Sequence, residues 1–263
     1  MHADRATYRV SEGVAEIRMT RPDAGNAIDP AMVEALDAAI RTAETDDTVR
    51  CVLLTADGPA FCVGGDLRFF RSHLDALPEH LDSMISTWHR SALRRLSALP
   101  VPVVAAARGG VGGGGLGLLW GADIVVLADD AKLATGFTRL GMTGDGGSSW
   151  YLPRLVGLRR AQDLMLRSTP VGAAEALECG LVSRVVPGAE LEDTGRALAR
   201  EFAAGPTWAY GGIKQLLRDS GDRTHADQLM AEYELMTAGA GRADVREGIT
   251  AFAERRAPEF DGR

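Results

Sequence analysis

The residues best suited to chemistry lie in two glycine-rich turns about fifty positions apart. They are Phe61-Cys62-Val63-Gly64-Gly65-Asp66 and Gly109-Gly110-Val111-Gly112-Gly113-Gly114-Gly115-Leu116-Gly117. Glycine lets a backbone approach a ligand closely, and the start of a helix offers N–H groups with no intrahelical acceptor. Two such turns can aim two amides at one developing negative charge, which is the chemistry of an oxyanion hole. The second turn also satisfies the dinucleotide pattern G-x-G-x-x-G over Gly112 to Gly117, with Asp129 closing the next strand. A nucleotide-binding unit carries that pattern after its first strand with a longer helix behind it, whereas only about eight residues separate Gly114 from the strand at Ile124. Close helix packing is the plain alternative for the second turn taken alone.

What must position these turns is an alternation of strands and helices. Val49 to Thr55 precedes the first turn and Val101 to Ala107 the second, both apolar runs suited to buried strands. Tyr8 to Arg18 alternates as a hairpin about Ser11-Glu12-Gly13, and Asp29-Pro30 opens a helix with an apolar face of Val33, Leu36, Ile40 and Ala43. The strand, loop and helix order continues through Ile124 to Ala128 and Lys132 to Phe137, an α/β pattern without a literal repeat. Beyond about Pro187 strands cease, and helices are predicted near 190–204, 206–219, 224–238 and 242–255. The chain divides into a core, residues 1–190, and a helical region, residues 191–263. The apolar faces of that helical region call for a neighbouring subunit.

Composition narrows the function classes. With 46% hydrophobic residues, the 263-residue chain can bury a large core, and its net charge of −7 argues against a nucleic-acid surface. No membrane span or secretory signal is read, so a cytoplasmic location is expected. Cys51, Cys62 and Cys179 are scattered and read as reduced core or near-core thiols, and the dispersed histidines suggest no metal site.

With these pieces in order, the chain resembles the crotonase, or enoyl-CoA hydratase/isomerase, superfamily over essentially its whole length. The resemblance is carried by Arg21-Pro22 with Asn26-Ala27, the first turn through Leu67, and Pro102 to Ala106 before the second. Ala122-Asp123, Leu140-Gly141, Gly146-Gly147, Leu152-Pro153-Arg154, Ala173 to Leu181 and Gly248 to Arg256 add to it. It implies a crotonase-like spiral of ββα units with a C-terminal helical trimerisation region, assembled as a homotrimer or a dimer of trimers. It implies an acyl-CoA substrate and no cofactor apart from the coenzyme A of that thioester. The thioester oxygen is then expected between the backbone N–H groups of Val63 and Gly114. Gly64, Gly65 and Asp66 complete the first substrate loop, with Asp66 also placed to cap the following helix. Ala27 and Phe137 are expected at the substrate, and Phe252 and Arg256 fall where family members meet the CoA nucleotide.

Departures from the family pattern set the chemistry. Hydratases of the superfamily carry one glutamate three residues after the second oxyanion glycine and another four before the Leu-Gly glycine; here those positions are Gly117 and Phe137. Water addition needs one group to activate water and one to protonate carbon, so simple hydratase activity is not expected. Asp145 stands where the isomerases of the superfamily carry an acid, and shifting a double bond from the 3 to the 2 position needs only one. An aspartate between glycines is also an ordinary turn residue. Aryl-CoA dehalogenases place a nucleophilic aspartate at the same point, which makes dehalogenation or thioester hydrolysis the rival reading. An atypical hydratase and a non-catalytic acyl-CoA-binding protein are further ones. The dehalogenases also use a histidine about twelve residues before the Pro-Val strand. His89 lies one residue out of that register and borders an apolar face of Ile85, Trp88, Ala92 and Leu96, so it is read as packed or superficial. Arg21, Arg68 and Arg71 are read as loop or solvated helix charges, with CoA phosphates as the alternative.

Overall fold

A computed structural model describes residues 5–262. The N-terminal hairpin forms as expected, β1 (Ala6–Ser11) running antiparallel to β2 (Val14–Met19). Glu12 and Gly13 turn it with φ of 52° and 76°, the paired positive values that match strand twist. The Asp29 carboxylate caps α1 (Pro30–Thr45) by accepting from the Met32 N–H at 2.8 Å, and the predicted face of Val33, Leu36, Ile40 and Ala43 is buried.

From there the chain winds through repeated pairs of strands. The strands are β3 (Cys51–Ala56), β4 (Val103–Ala107), short β5 (Gly110–Gly112), β6 (Ile124–Ala128), short β7 (Lys132–Ala134), β8 (Val171–Gly172) and β9 (Arg184–Val186). The larger sheet has the order β1-β2-β3-β4-β6-β9, parallel from β2 onward, and the smaller sheet is β5-β7-β8. Cys62 bridges to Val111 in the smaller sheet, so β3 with Cys62, β4 with β5, and β6 with β7 repeat one motif. A helix follows each pair. The first is α2 (Leu67–Ser72), which leads on to α3 (Leu77–Thr87) and α4 (Arg94–Ala98). The second and third are α5 (Leu116–Trp120) and α6 (Ser148–Arg167). These are three consecutive ββα units.

The central strands are buried on both faces, as parallel strands covered twice must be. Val52, Leu54, Val103 and Ala105 meet the α1 side, while Leu53, Val104 and Ala106 meet Leu198, Ala199 and Ala203. Those last three belong to α8 (Leu191–Ala203), which follows α7 (Ala173–Glu178). The remaining helices are α9 (Thr207–Asp219), α10 (His225–Gly239) and α11 (Ala243–Glu254), and they leave Leu217, Met230, Tyr233 and Met236 exposed.

Among the strand boundaries that differ from the sequence reading, two have a plain local cause. The run from Lys132 ends at Ala134 because Gly136 turns the chain with φ of 71°, and Phe137 then opens a single 3-10 turn. The second strand begins at Val103 because Pro102 has no N–H to give, although its carbonyl still accepts from the Val52 N–H at 2.9 Å. Cys51 and Cys62 are fully buried, and burial pushes both thiols up to about 12, so neither is a nucleophile at neutral pH. Among the described residues no helix is long and apolar enough to cross a membrane.

Candidate active site

Backbone bonds lace the two glycine turns side by side. The Cys62 N–H donates to the Gly110 carbonyl at 3.3 Å, and the Gly112 N–H to the Cys62 carbonyl at 2.9 Å. At Gly64, where φ is 96°, a Cβ would stand 2.8 Å from the Gly112 carbonyl oxygen, so no larger residue fits.

This arrangement corrects one expected donor. The Val63 N–H is committed to the Gly25 carbonyl at 3.1 Å and is not available to a ligand. The parallel bridge between Ile28 and Gly65 uses the Gly64 carbonyl, which accepts from Ile28 at 2.8 Å, and the Asp66 N–H, which donates to Ile28 at 2.9 Å. Gly65 lies between these groups, so its N–H points to the other side of the strand and has no acceptor among the described residues. The first turn therefore offers Gly65 rather than Val63. Gly114 sits inside the 3-10 turn Gly113–Gly115 that opens α5, where N–H groups have no intrahelical partner.

Asp66, Ala27 and Arg21 form the frame of the first turn. The Asp66 carboxylate accepts from the N–H groups of Arg68 at 2.9 Å and Phe69 at 3.1 Å, and pairs with Arg21 at 2.7 Å. Burial pushes its pKa up, but these N–H groups and the guanidinium outweigh burial and hold the carboxyl below its ordinary value. Arg21 also reaches Asp29 at 3.2 Å and the Ala27 carbonyl at 3.1 Å, so it is a structural clamp and not a free cation for phosphate. Arg68 and Arg71 are exposed on α2.

The acid arrives on a loop pressed against the second turn. Gly146 has φ of 64°, and a Cβ there would lie 2.9 Å from the Gly114 carbonyl oxygen and 3.3 Å from Gly114 Cα. This contact brings Asp145 to the turn: its Oδ2 lies 2.8 Å from the point where a Gly114 Cβ would stand. Oδ1 is already engaged, by the His89 ring nitrogen Nε2 and by the Gly146 N–H. One carboxylate oxygen is held and the other faces the donor turn.

His89 is thus no bystander, contrary to the sequence reading. The segment Trp88–Leu93 is a π-helical turn. A π turn adds a residue to the helical ladder and shifts register by one, which is the offset that separated His89 from the expected histidine position. The hydrogen bond to Asp145 raises the imidazole pKa above its ordinary 6.5 despite partial burial. The charged pair's contribution to stability is therefore fully present below that ordinary value and is lost as pH rises through the raised one. An NMR titration is expected to place the His89 pKa above that of an exposed histidine, and to return it toward 6.5 in Asp145→Asn. An unchanged value in that variant would remove the pair from the site.

The two hydratase acid positions hold no acid and one of them has no room. A Cβ at Gly117 would stand 2.9 Å from the Gly146 carbonyl oxygen and 3.0 Å from Gly146 Cα. Phe137 is buried, its ring 3.8 Å from the Cβ position of Gly113, so it does lie at the second turn. A cleft of about 510 Å³ opens beside Asp145, lined by His89, Arg94, Trp150, Tyr151 and Arg218 among others. A larger cavity of about 710 Å³, between Trp150, Ile213 and Leu217, touches neither Asp145 nor the first turn. Phe252 is 87% exposed on α11, and Arg256 is held by Glu247 and Glu254; neither lines the Asp145 cleft. The basic side chains Arg94 and Arg218 at the cleft carried no signal in the sequence beyond their helical setting.

Comparison with known proteins agrees with this geometry. The model of the enoyl-CoA hydratase/isomerase family matches residues 9–263. The 1,2-epoxyphenylacetyl-CoA isomerase of Escherichia coli is 36% identical over 254 residues, covering 97% of each chain. The 4-chlorobenzoyl coenzyme A dehalogenase-1 of an Arthrobacter species is 32% identical over 247 residues, covering 93% of this chain and 89% of that one. A crystal structure of an enoyl-CoA hydratase/isomerase from Mycobacterium abscessus aligns with a TM-score of 0.91 at 36% identity, over 98% of this chain and 100% of that chain. With three ββα units, interlocked glycine turns and a match over nearly its full length, this chain belongs to the enoyl-CoA hydratase/isomerase family and has the crotonase fold.

Proposed function

We propose that the protein moves the double bond of an acyl-CoA from the 3 to the 2 position. Asp145 carries the proton, and the Gly65 and Gly114 amides hold the enolate oxygen. The observation that supports this most is the split use of the Asp145 carboxylate, with Oδ1 fixed by His89 and Oδ2 turned to Gly114. A thioester oxygen seated on the Gly114 amide brings its α-carbon to that free oxygen. The α-proton passes to Oδ2 while negative charge moves onto the thioester oxygen between two N–H donors. The same proton then returns at the γ-carbon, so one carboxylate serves both steps. The absence of a second acid at Gly117 and Phe137 suits this reaction and not hydration.

The same reading includes assembly and CoA binding. The exposed apolar side chains of α9 to α11 suit a homotrimer or a dimer of trimers. A CoA phosphate at Arg256 would have to displace Glu247, whose carboxyl that guanidinium holds down near 2.

One observation favours a second reading, in which Asp145 attacks an aryl-CoA as a nucleophile. His89 touches the attacking carboxylate and is placed to activate the water that would release the aryl group. Incubation with 3-enoyl-CoA and with 4-halobenzoyl-CoA in ¹⁸O-labelled water separates the two. Conjugated 2-enoyl-CoA without halide release is expected. Halide release and no enoyl shift, with ¹⁸O found in the Asp145 carboxylate after one turnover and in the hydroxybenzoyl product only in later ones, would overturn the isomerase reading in favour of the second.

A further inference from the structure

Two indoles are buried near the site, and they differ in one respect. Trp120 donates its Nε1–H to Ser148 Oγ at 3.0 Å, whereas Trp88, 2% exposed, has no acceptor for its Nε1–H among the described residues. Native folds leave few buried donors unpaired, and those few call for an explanation.

Its surroundings narrow the explanation. Trp88 Nε1 lies 3.6 Å from the Cβ position of Gly114, the same point from which Asp145 Oδ2 lies 2.8 Å. Donor and carboxylate oxygen face one spot. The other Asp145 oxygen is taken by His89 and Gly146, while nearby Phe137 has no polar side-chain atom and Gly117 no side chain to offer. Trp88 and His89 are the first two residues of the π turn, so one local distortion of the helix delivers both groups to one carboxylate.

We propose that Trp88 is a positioning residue for Asp145, its indole N–H donating to Oδ2 when an acyl-CoA seats in the site. The carboxylate is then held at both oxygens, by His89 on one and Trp88 on the other. An ionised carboxylate has about four lone-pair positions, so Oδ2 keeps one for the α-proton while the indole fixes its direction. A donor to the charged form also lowers proton affinity, which favours return of the proton at the γ-carbon over its retention on Asp145. The proposal rests on Asp145 being the base, but its first test needs no turnover.

That test follows the indole resonances of ¹⁵N-tryptophan-labelled protein during addition of hexanoyl-CoA, a saturated thioester that cannot isomerise. The Trp88 signal, assigned by its loss in Trp88→Phe, is expected to move downfield on saturation and to stay in place in Asp145→Ala. A signal unmoved in the parent, or one that moves equally in Asp145→Ala, overturns the proposal. The second test replaces Trp88 with benzothienylalanine, which keeps the ring shape and lacks the N–H. The acidic limb of the kcat profile for 3-enoyl-CoA, which reports the substrate-bound enzyme, is expected to move to higher pH, with KM nearly unchanged. A purely structural role leaves that limb where it was and refutes the assignment. If the parent does not turn over 3-enoyl-CoA, the isomerase reading fails while the resonance test still decides the role of Trp88.

Discussion

Asp145→Asn is expected to lower turnover of 3-enoyl-CoA by about 10²–10⁴-fold, the range for losing a positioned general base. Acyl-CoA affinity is expected to change little. The amide has the shape of the carboxyl, keeps an oxygen for the Gly146 N–H, and tolerates the turn; what it loses is the ability to accept a proton. Neither hydratase acid position can substitute, because Gly117 has no space for a side chain and Phe137 has no proton-accepting group. Stopped assays give kcat, and calorimetry with hexanoyl-CoA gives affinity. Because asparagine before glycine deamidates back to aspartate, the assay needs freshly prepared, mass-checked protein. Turnover within about tenfold of the parent would exclude Asp145 as the base.

The second large effect concerns the oxyanion donors. Replacing Gly65 with glycolic acid exchanges its N–H for an ester oxygen and changes little else. A loss of about 10²–10³ in kcat is expected, as for removal of one oxyanion donor. The corresponding exchange at Gly114 is expected to match it. At Val63 the same chemistry removes only the hydrogen bond to Gly25, so it should leave kcat nearly intact and cost about 0.5–1.5 kcal/mol in stability. Urea unfolding and steady-state kinetics on the three esters distinguish the roles. A large kcat loss at Val63 with none at Gly65 would return the donor to Val63.

The contrast between these residues shows how far the sequence could be read. Both turns, the Asp145 loop and the ββα order were legible because glycine clusters and buried strands leave contiguous marks. Which N–H of the first turn stays free was not, since Val63 and Gly65 flank the same glycine. The difference lies in acceptors on Gly25 and Ile28, more than thirty residues away in sequence. His89 and Trp88 were hidden for another reason. Helical periodicity assumes 3.6 residues per turn, and one π turn moves every earlier side chain to a new face. Arg21 carried charge but no sign of its partners Asp29 and Asp66, which only the folded loop supplies.

The contact of Gly146 with Gly114 has a wider meaning for what this scaffold can become. With no side chain between them, the spacing from the Asp145 loop to the Gly114 turn is a backbone dimension, insensitive to the rotamers around it. Gly117 abuts the same Gly146, so a glutamate introduced there would have to lift the loop that carries Asp145. Gaining the missing hydratase acid would therefore displace the acid already present. One-acid and two-acid chemistry are, in this chain, mutually exclusive packings of the same loop, and a single substitution cannot carry the protein from one to the other.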